Sequence, residues 1–175
     1  MEAAVTITPQ AGGRHRVELD GPFAHPHWLA FLCGGLSAAD VAVVSGRAVR
    51  PEPMRWTADF VVEGPVEGLD VVALAGRRPP RRDAAVPHLT SYDVQRQPDG
   101  QLALTVEAAD ALGFLGRLLS RISLLTLLPS ALEISTEGGR ISDRFVLSGI
   151  GSAPPSEEVL EALDGMLAGM ATATV

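Results

Sequence analysis

The chain has 175 residues, is 46% hydrophobic and carries a formal net charge of −7. That is enough apolar material to bury a core in one ordinary domain or two small ones. No run reaches the roughly 18 apolar residues of a membrane helix, and the acidic balance argues against a general nucleic-acid binder, which needs a basic face.

The N-terminus, "MEAAVTITPQ", lacks the basic-then-apolar order of a signal peptide. A lone cysteine, Cys33, forms no internal disulfide and suits a reducing compartment. The expected location is the cytoplasm.

In chain order, the first half begins with a glycine-turned hairpin, "VTITPQAGGRHRVELD", and continues into a helix, "HWLAFLCGGL". A second hairpin follows, "VAVVSGRAV" and "RWTADFVVEG", in which Trp56, Ala58, Phe60 and Val62 alternate with polar residues. A last helix is expected over "VEGLDVVALAG". The stretch "GRRPPRR" then reads as a solvated linker, because consecutive prolines resist packing into an element.

The second half repeats the plan. "YDVQRQPDGQLALTVEAAD" is a hairpin whose Leu102, Leu104, Val106 and Ala108 share one face. In "GFLGRLLSRISLL", Leu115, Leu118, Leu119 and Ile122 fall at helical spacing. The hairpin "SALEISTEGG" and "RISDRFVLSG" turns at Gly138 and Gly139, where positive φ is expected. The final helix carries Val159, Leu163, Met166, Leu167 and Met170 on one stripe, with Ser156 as N-cap.

Leu104 follows Val17 by 87 residues and Phe145 follows Phe60 by 85, the period of a duplicated domain. The expected organisation is a first domain over 1–76, a linker over 77–90 and a second domain over 91–175. The expected fold class is α+β: two tandem ferredoxin-like domains, each an antiparallel sheet with its helices on one face and an extra N-terminal strand. Only "ATATV" follows Met170. A closing strand in the second domain must therefore be that stub, the strand near Tyr92 to Gln95, or a partner's strand at an open edge.

The motifs narrow this further. "DALGFL" resembles the Asp-x-x-Gly-Leu-Leu loop of ACT domains, small amino-acid-sensing modules of βαββαβ type. "ISTEGGRISDRF" resembles the hairpin of the tandem ACT domains that end the uridylyltransferase of bacterial nitrogen signalling, matching at Ile134, Ser135, Thr136, Gly138, Arg140, Asp143 and Phe145. The resemblance implies a ligand site at Asp110, Ala111, Leu112, Gly113, Phe114 and Leu115, where the loop of one domain faces its neighbour and grips a free amino acid. Asp110 is expected to cap the helix, leaving amides for a carboxylate, and Gly113 to leave room for the ligand. An exposed sheet edge is a pairing site, so a homodimer or a pairing of the repeats within one chain is expected.

Asp143 stands among hydrophobes on its strand face, where an unpaired carboxylate is costly. Hydrogen bonds from the turn amides, Thr136 or Arg140 are expected to satisfy it. In the first half the matching loop is "DGPFAHPHWL", with His27 where Gly113 stands in the second, so an altered pocket is expected there. His25 and His27 have poor metal-ligand spacing, and no metal or other cofactor is expected.

No catalytic constellation, Walker-type loop or nucleotidyltransferase aspartate pair is present. An acylphosphatase would need an asparagine, and the chain has none. An RNA reader would stack bases on strand aromatics, which "RHRVELD" and "LALTVEA" lack. The expectation is a non-catalytic regulatory module acting in trans on a protein partner, without nucleic acid or membrane. The alternative is an interaction module with vestigial pockets.

Overall fold

The computed structural model describes residues 3–80 and 86–172. The first half runs β1 (Ala4–Pro9), β2 (Arg14–Pro22), α1 (Trp28–Ala38), β3 (Ala42–Glu52), β4 (Arg55–Glu63) and α2 (Val71–Gly76). The second runs β5 (Ser91–Arg96), β6 (Leu102–Ala109), α3 (Phe114–Ser123), β7 (Leu128–Glu137), β8 (Arg140–Ser148) and α4 (Glu157–Thr172). These are two tandem ferredoxin-like units of the α+β class.

Among the described residues, eight strands join one antiparallel sheet in the order β1-β2-β4-β3-β7-β8-β6-β5. The duplication inferred from spacing reappears as register. Val17 pairs with Phe60, and Leu104 pairs with Phe145. The edge position of each half is filled by its N-terminal strand, β1 or β5. In the second half α4 continues through Ala171 and Thr172, so that part of the "ATATV" stub is helical; residues 173–175 lie outside the described residues.

The halves meet where β3 pairs with β7, in a register running from Ser45 opposite Ser135 to Val49 opposite Ala131, centred on Arg47 and Glu133. Above this seam α1 and α3 approach closely enough that a Cβ on Gly116 would lie 2.9 Å from the backbone nitrogen of Gly34. Val17, Phe60, Leu104, Leu118, Phe145 and Leu167 belong to one continuous buried core that spans both halves.

The opposite sheet face is polar and carries a row of charges. Glu18, Asp59, Arg47, Glu133 and Arg144 stand opposite one another across β2, β4, β3, β7 and β8. Arg16 adds a fork of 2.9 and 2.6 Å onto Asp59, holding that carboxyl below its ordinary pKa. Cross-strand pairs of opposite sign favour this register by tenths of a kcal/mol to about 1 kcal/mol each. The hydrophobic strand positions are thereby assigned to the helical side.

Local chemistry sets the element ends. Gly138 and Gly139 turn the β7–β8 hairpin at φ of 55° and 75°, as expected. Ser156 Oγ accepts from the Val159 N–H at 3.3 Å, as an N-cap should. The short α2 is capped by Asp70, which accepts from the Ala73 N–H at 3.0 Å. The helix expected over "VEGLDVVALAG" thus starts only after Asp70.

Candidate functional site

The loop leading into α3 is tied down at three points. The Asp110 N–H donates to the Gly139 carbonyl at 2.9 Å, fixing the loop to the β7–β8 turn. The Phe114 N–H donates to the Ala111 carbonyl at 3.0 Å, closing a tight turn. An Arg117 guanidinium nitrogen donates to the Leu112 carbonyl at 3.1 Å, stapling the loop to the first turn of its helix.

Gly113, at φ of 80°, is the N-cap residue, and no side chain caps α3. The expected capping role of Asp110 is therefore corrected. The helix starts at Phe114, and the turn over Leu112 and Gly113 separates Asp110 from it. Asp110 lies exposed at the loop's start.

Asp110, Ala111, Leu112, Gly113, Phe114 and Leu115 all line a small cavity of about 30 Å³. Its floor is the sheet, with Ile134 and Thr136 of β7 and Ile141 and Asp143 of β8. Its far wall comes from the other half: Cys33 and Ser37 of α1, then Val41, Ala42 and Val43 leading into β3. The cavity therefore straddles the seam. The space over Gly113 is occupied, since a Cβ there would lie 2.5 Å from Ser37 Oγ.

Asp143 is 1% exposed. It stands between Val106 and Ile134 on the neighbouring strands. One carboxylate oxygen accepts from the Ser135 N–H at 3.3 Å, and the other, Oδ2, has no hydrogen-bond partner among the described residues. The donors expected from the turn amides, Thr136 or Arg140 are not the ones used. Arg140 is exposed at the hairpin end, 3.8 Å from Glu107, while Asp143 points to the buried face. Burial raises the Asp143 pKa to about 7, with the Ser135 amide pulling it partly back.

Across the cavity, burial and the nearby Asp143 charge push the Cys33 thiol up to about 12. A thiol held protonated is a poor nucleophile at neutral pH. Among the described residues, no histidine lines the cavity.

The corresponding loop of the first half is filled with rings. Phe23 stacks on Trp28 with centroids 4.0 Å apart, Trp28 meets Trp56 edge-on at 5.2 Å, and His25 lies 4.3 Å from Phe31. His27 takes the N-cap position of α1 at φ of −100°, and its N–H donates to His25 Nδ1 at 3.1 Å. Burial, then the neighbouring His25, lowers the His27 pKa.

The loop is marked by a motif in the sequence, and the opposite wall is not. Cys33, Ser37 and residues 41–43 carry no motif, and their place at the cavity follows from the β3–β7 register. The helix face between α1 and α3 also opens into a cleft of about 1260 Å³ bearing His25, His27, Arg78, Arg117 and Arg121.

No family model matches the chain, and no curated protein matches it. Among solved structures it is similar to the crystal structure of aspartate kinase from Synechocystis, at 15% identity and a TM-score of 0.48. The match covers 87% of this chain and 27% of that one.

Proposed function

We propose that the chain is a non-catalytic regulatory module that binds a free amino acid between two ACT-type units, with the loop over 110–115 as its receptor, and signals in trans to a protein partner. The observation that carries this reading is the cavity with walls from both halves. The loop that the ACT resemblance marks as the ligand site faces the neighbouring unit across it. The backbone amides at the start of α3 offer a carboxylate the usual helix N-terminal welcome.

The cavity's volume also supports a mechanism. One water needs roughly 10–15 Å³ by this measure, so about 30 Å³ holds a small polar group and not a whole amino acid. A full ligand must displace the loop around Leu112, which is 44% exposed, or shift Ser37 of the opposite half. Binding therefore acts on the junction of the halves, and only a ligand that prefers one arrangement can move that equilibrium.

The test is thermal denaturation with each of the twenty proteinogenic amino acids at millimolar concentration. A ligand of the folded state must raise the melting temperature. Stabilisation by one amino acid or a small set is expected, and stabilisation by none overturns the reading. Ser37 over Gly113 and the ring-filled loop of the first half favour the second reading, an interaction module with vestigial pockets; it predicts no shift with any of the twenty.

A further inference from the structure

The buried end of the cavity holds an unsatisfied charge acceptor. Asp143 is almost wholly buried and lines the cavity, one oxygen is held by the Ser135 N–H, and Oδ2 has no donor. A buried polar atom without a partner costs about 1–3 kcal/mol, more when charged. Native proteins rarely leave one without a reason. Leu112, Gly113 and the first turn of α3 lie on the same cavity, so a molecule lodged there can meet helix amides at one end and a carboxylate oxygen at the other.

We propose that Asp143 Oδ2 receives the ammonium group of the bound amino acid, so that the site selects free α-amino acids over their N-acylated forms. The inference rests on the amino-acid reading above and adds its polar specificity. A carboxylate bound only at the helix N-terminus would not distinguish an amino acid from its N-acetyl derivative. An ammonium seated on Asp143 does, because acetylation removes the charge that the carboxylate would pair with.

A protonation linkage follows. The ammonium needs Asp143 as carboxylate, while burial in the empty site favours its neutral form. The groups facing it from the packed elements are the Cys33 thiol on α1, Asp110 at the loop, Ile134 and Thr136 on β7, Ile141 on β8 and Val106 on β6. Arg117 of α3 is engaged by the Leu112 carbonyl. Of these titratable groups, Cys33 stays neutral and Asp110 is exposed, so the change of charge inside the cavity belongs to Asp143. Affinity is expected to fall about tenfold between pH 8 and pH 6 as the empty-site carboxyl takes up its proton.

The experiment is calorimetric titration of the whole chain with each proteinogenic amino acid and its N-acetyl form, at pH 8 and pH 6, in wild type and D143N. The expected result is binding by a free amino acid, at least tenfold weaker binding by its N-acetyl form, and the tenfold pH effect in wild type but not in D143N. Equal affinity for free and acetylated ligand, or a pH-independent affinity in wild type, overturns the ammonium site and leaves the amino-acid reading standing. No binding by any amino acid to wild type at pH 8 overturns both. The acetyl comparison and the pH series on wild type decide the matter even if D143N does not fold.

Discussion

The two halves share a register and part company where a ligand would matter. Ala58 pairs with Leu19 and Ala48 in the first half as Asp143 pairs with Val106 and Ile134 in the second. His27 and Gly113 occupy the same N-cap position before their helices. The first half therefore has a small apolar residue on its floor and a ring at its helix entrance, while the second has a buried carboxyl and a left-handed glycine. One backbone plan accommodates both a filled core and a polar cavity, and a few side chains decide which is made.

The strongest way to break the comparison is to give the first half the second half's acid. Ala58→Asp places a carboxylate in a packed core, and a loss of about 3–5 kcal/mol at pH 8 is expected. Urea unfolding would show it, with a smaller loss at pH 5, where the carboxyl goes in neutral. A cost below about 1 kcal/mol at pH 8 would mean that the cavity is not what makes Asp143 tolerable.

The reverse change tests the second half. The folded-state pKa of Asp143 lies near 7, above its ordinary value of 3.8. Its contribution to stability is thus fully present below about pH 4 and is lost as pH rises through 7. At 1.36 kcal/mol per pKa unit, wild type should lose about 3 kcal/mol from this group between pH 5 and pH 8. In D143N that part of the slope disappears, so the variant gains on wild type as pH rises. Parallel pH–stability curves for the two proteins would show that Asp143 titrates normally.

Smaller effects are expected from exchanging the N-cap residues. Gly113→Ala sets a side chain at φ of 80°, 2.5 Å from Ser37 Oγ, for a cost of about 2 kcal/mol. His27→Gly should change stability by less than about 1 kcal/mol, since His27 holds an ordinary negative φ. Urea midpoints that move equally for both would erase the distinction between the two helix entrances.

Much of this architecture is legible in the residues. The alternation of Leu102, Leu104, Val106 and Ala108, the stripe of α3 and the paired glycines of the β7–β8 turn are local patterns, and they place strands, helix and hairpin correctly. Which strand faces which across the halves is a nonlocal matter that periodicity does not encode. The Ser45–Ser135 register, and with it Cys33 and Ser37 at the cavity, lay beyond reach. Asp110 misled for a related reason: an acid before an apolar helix reads as a cap, yet the chain used the left-handed freedom of Gly113 to enter α3 three residues later. The burial of Asp143 could be read from alternation, but its donor could not, because a strand amide leaves no mark in the sequence.

The joining of β3 to β7 within one polypeptide has a further consequence. Where separate subunits must find each other, a site shared between them fades on dilution. Here the tether keeps each half at a high effective concentration next to the other. Under the proposed function, occupancy of the shared cavity would follow the concentration of the small molecule alone, independent of how abundant the protein is.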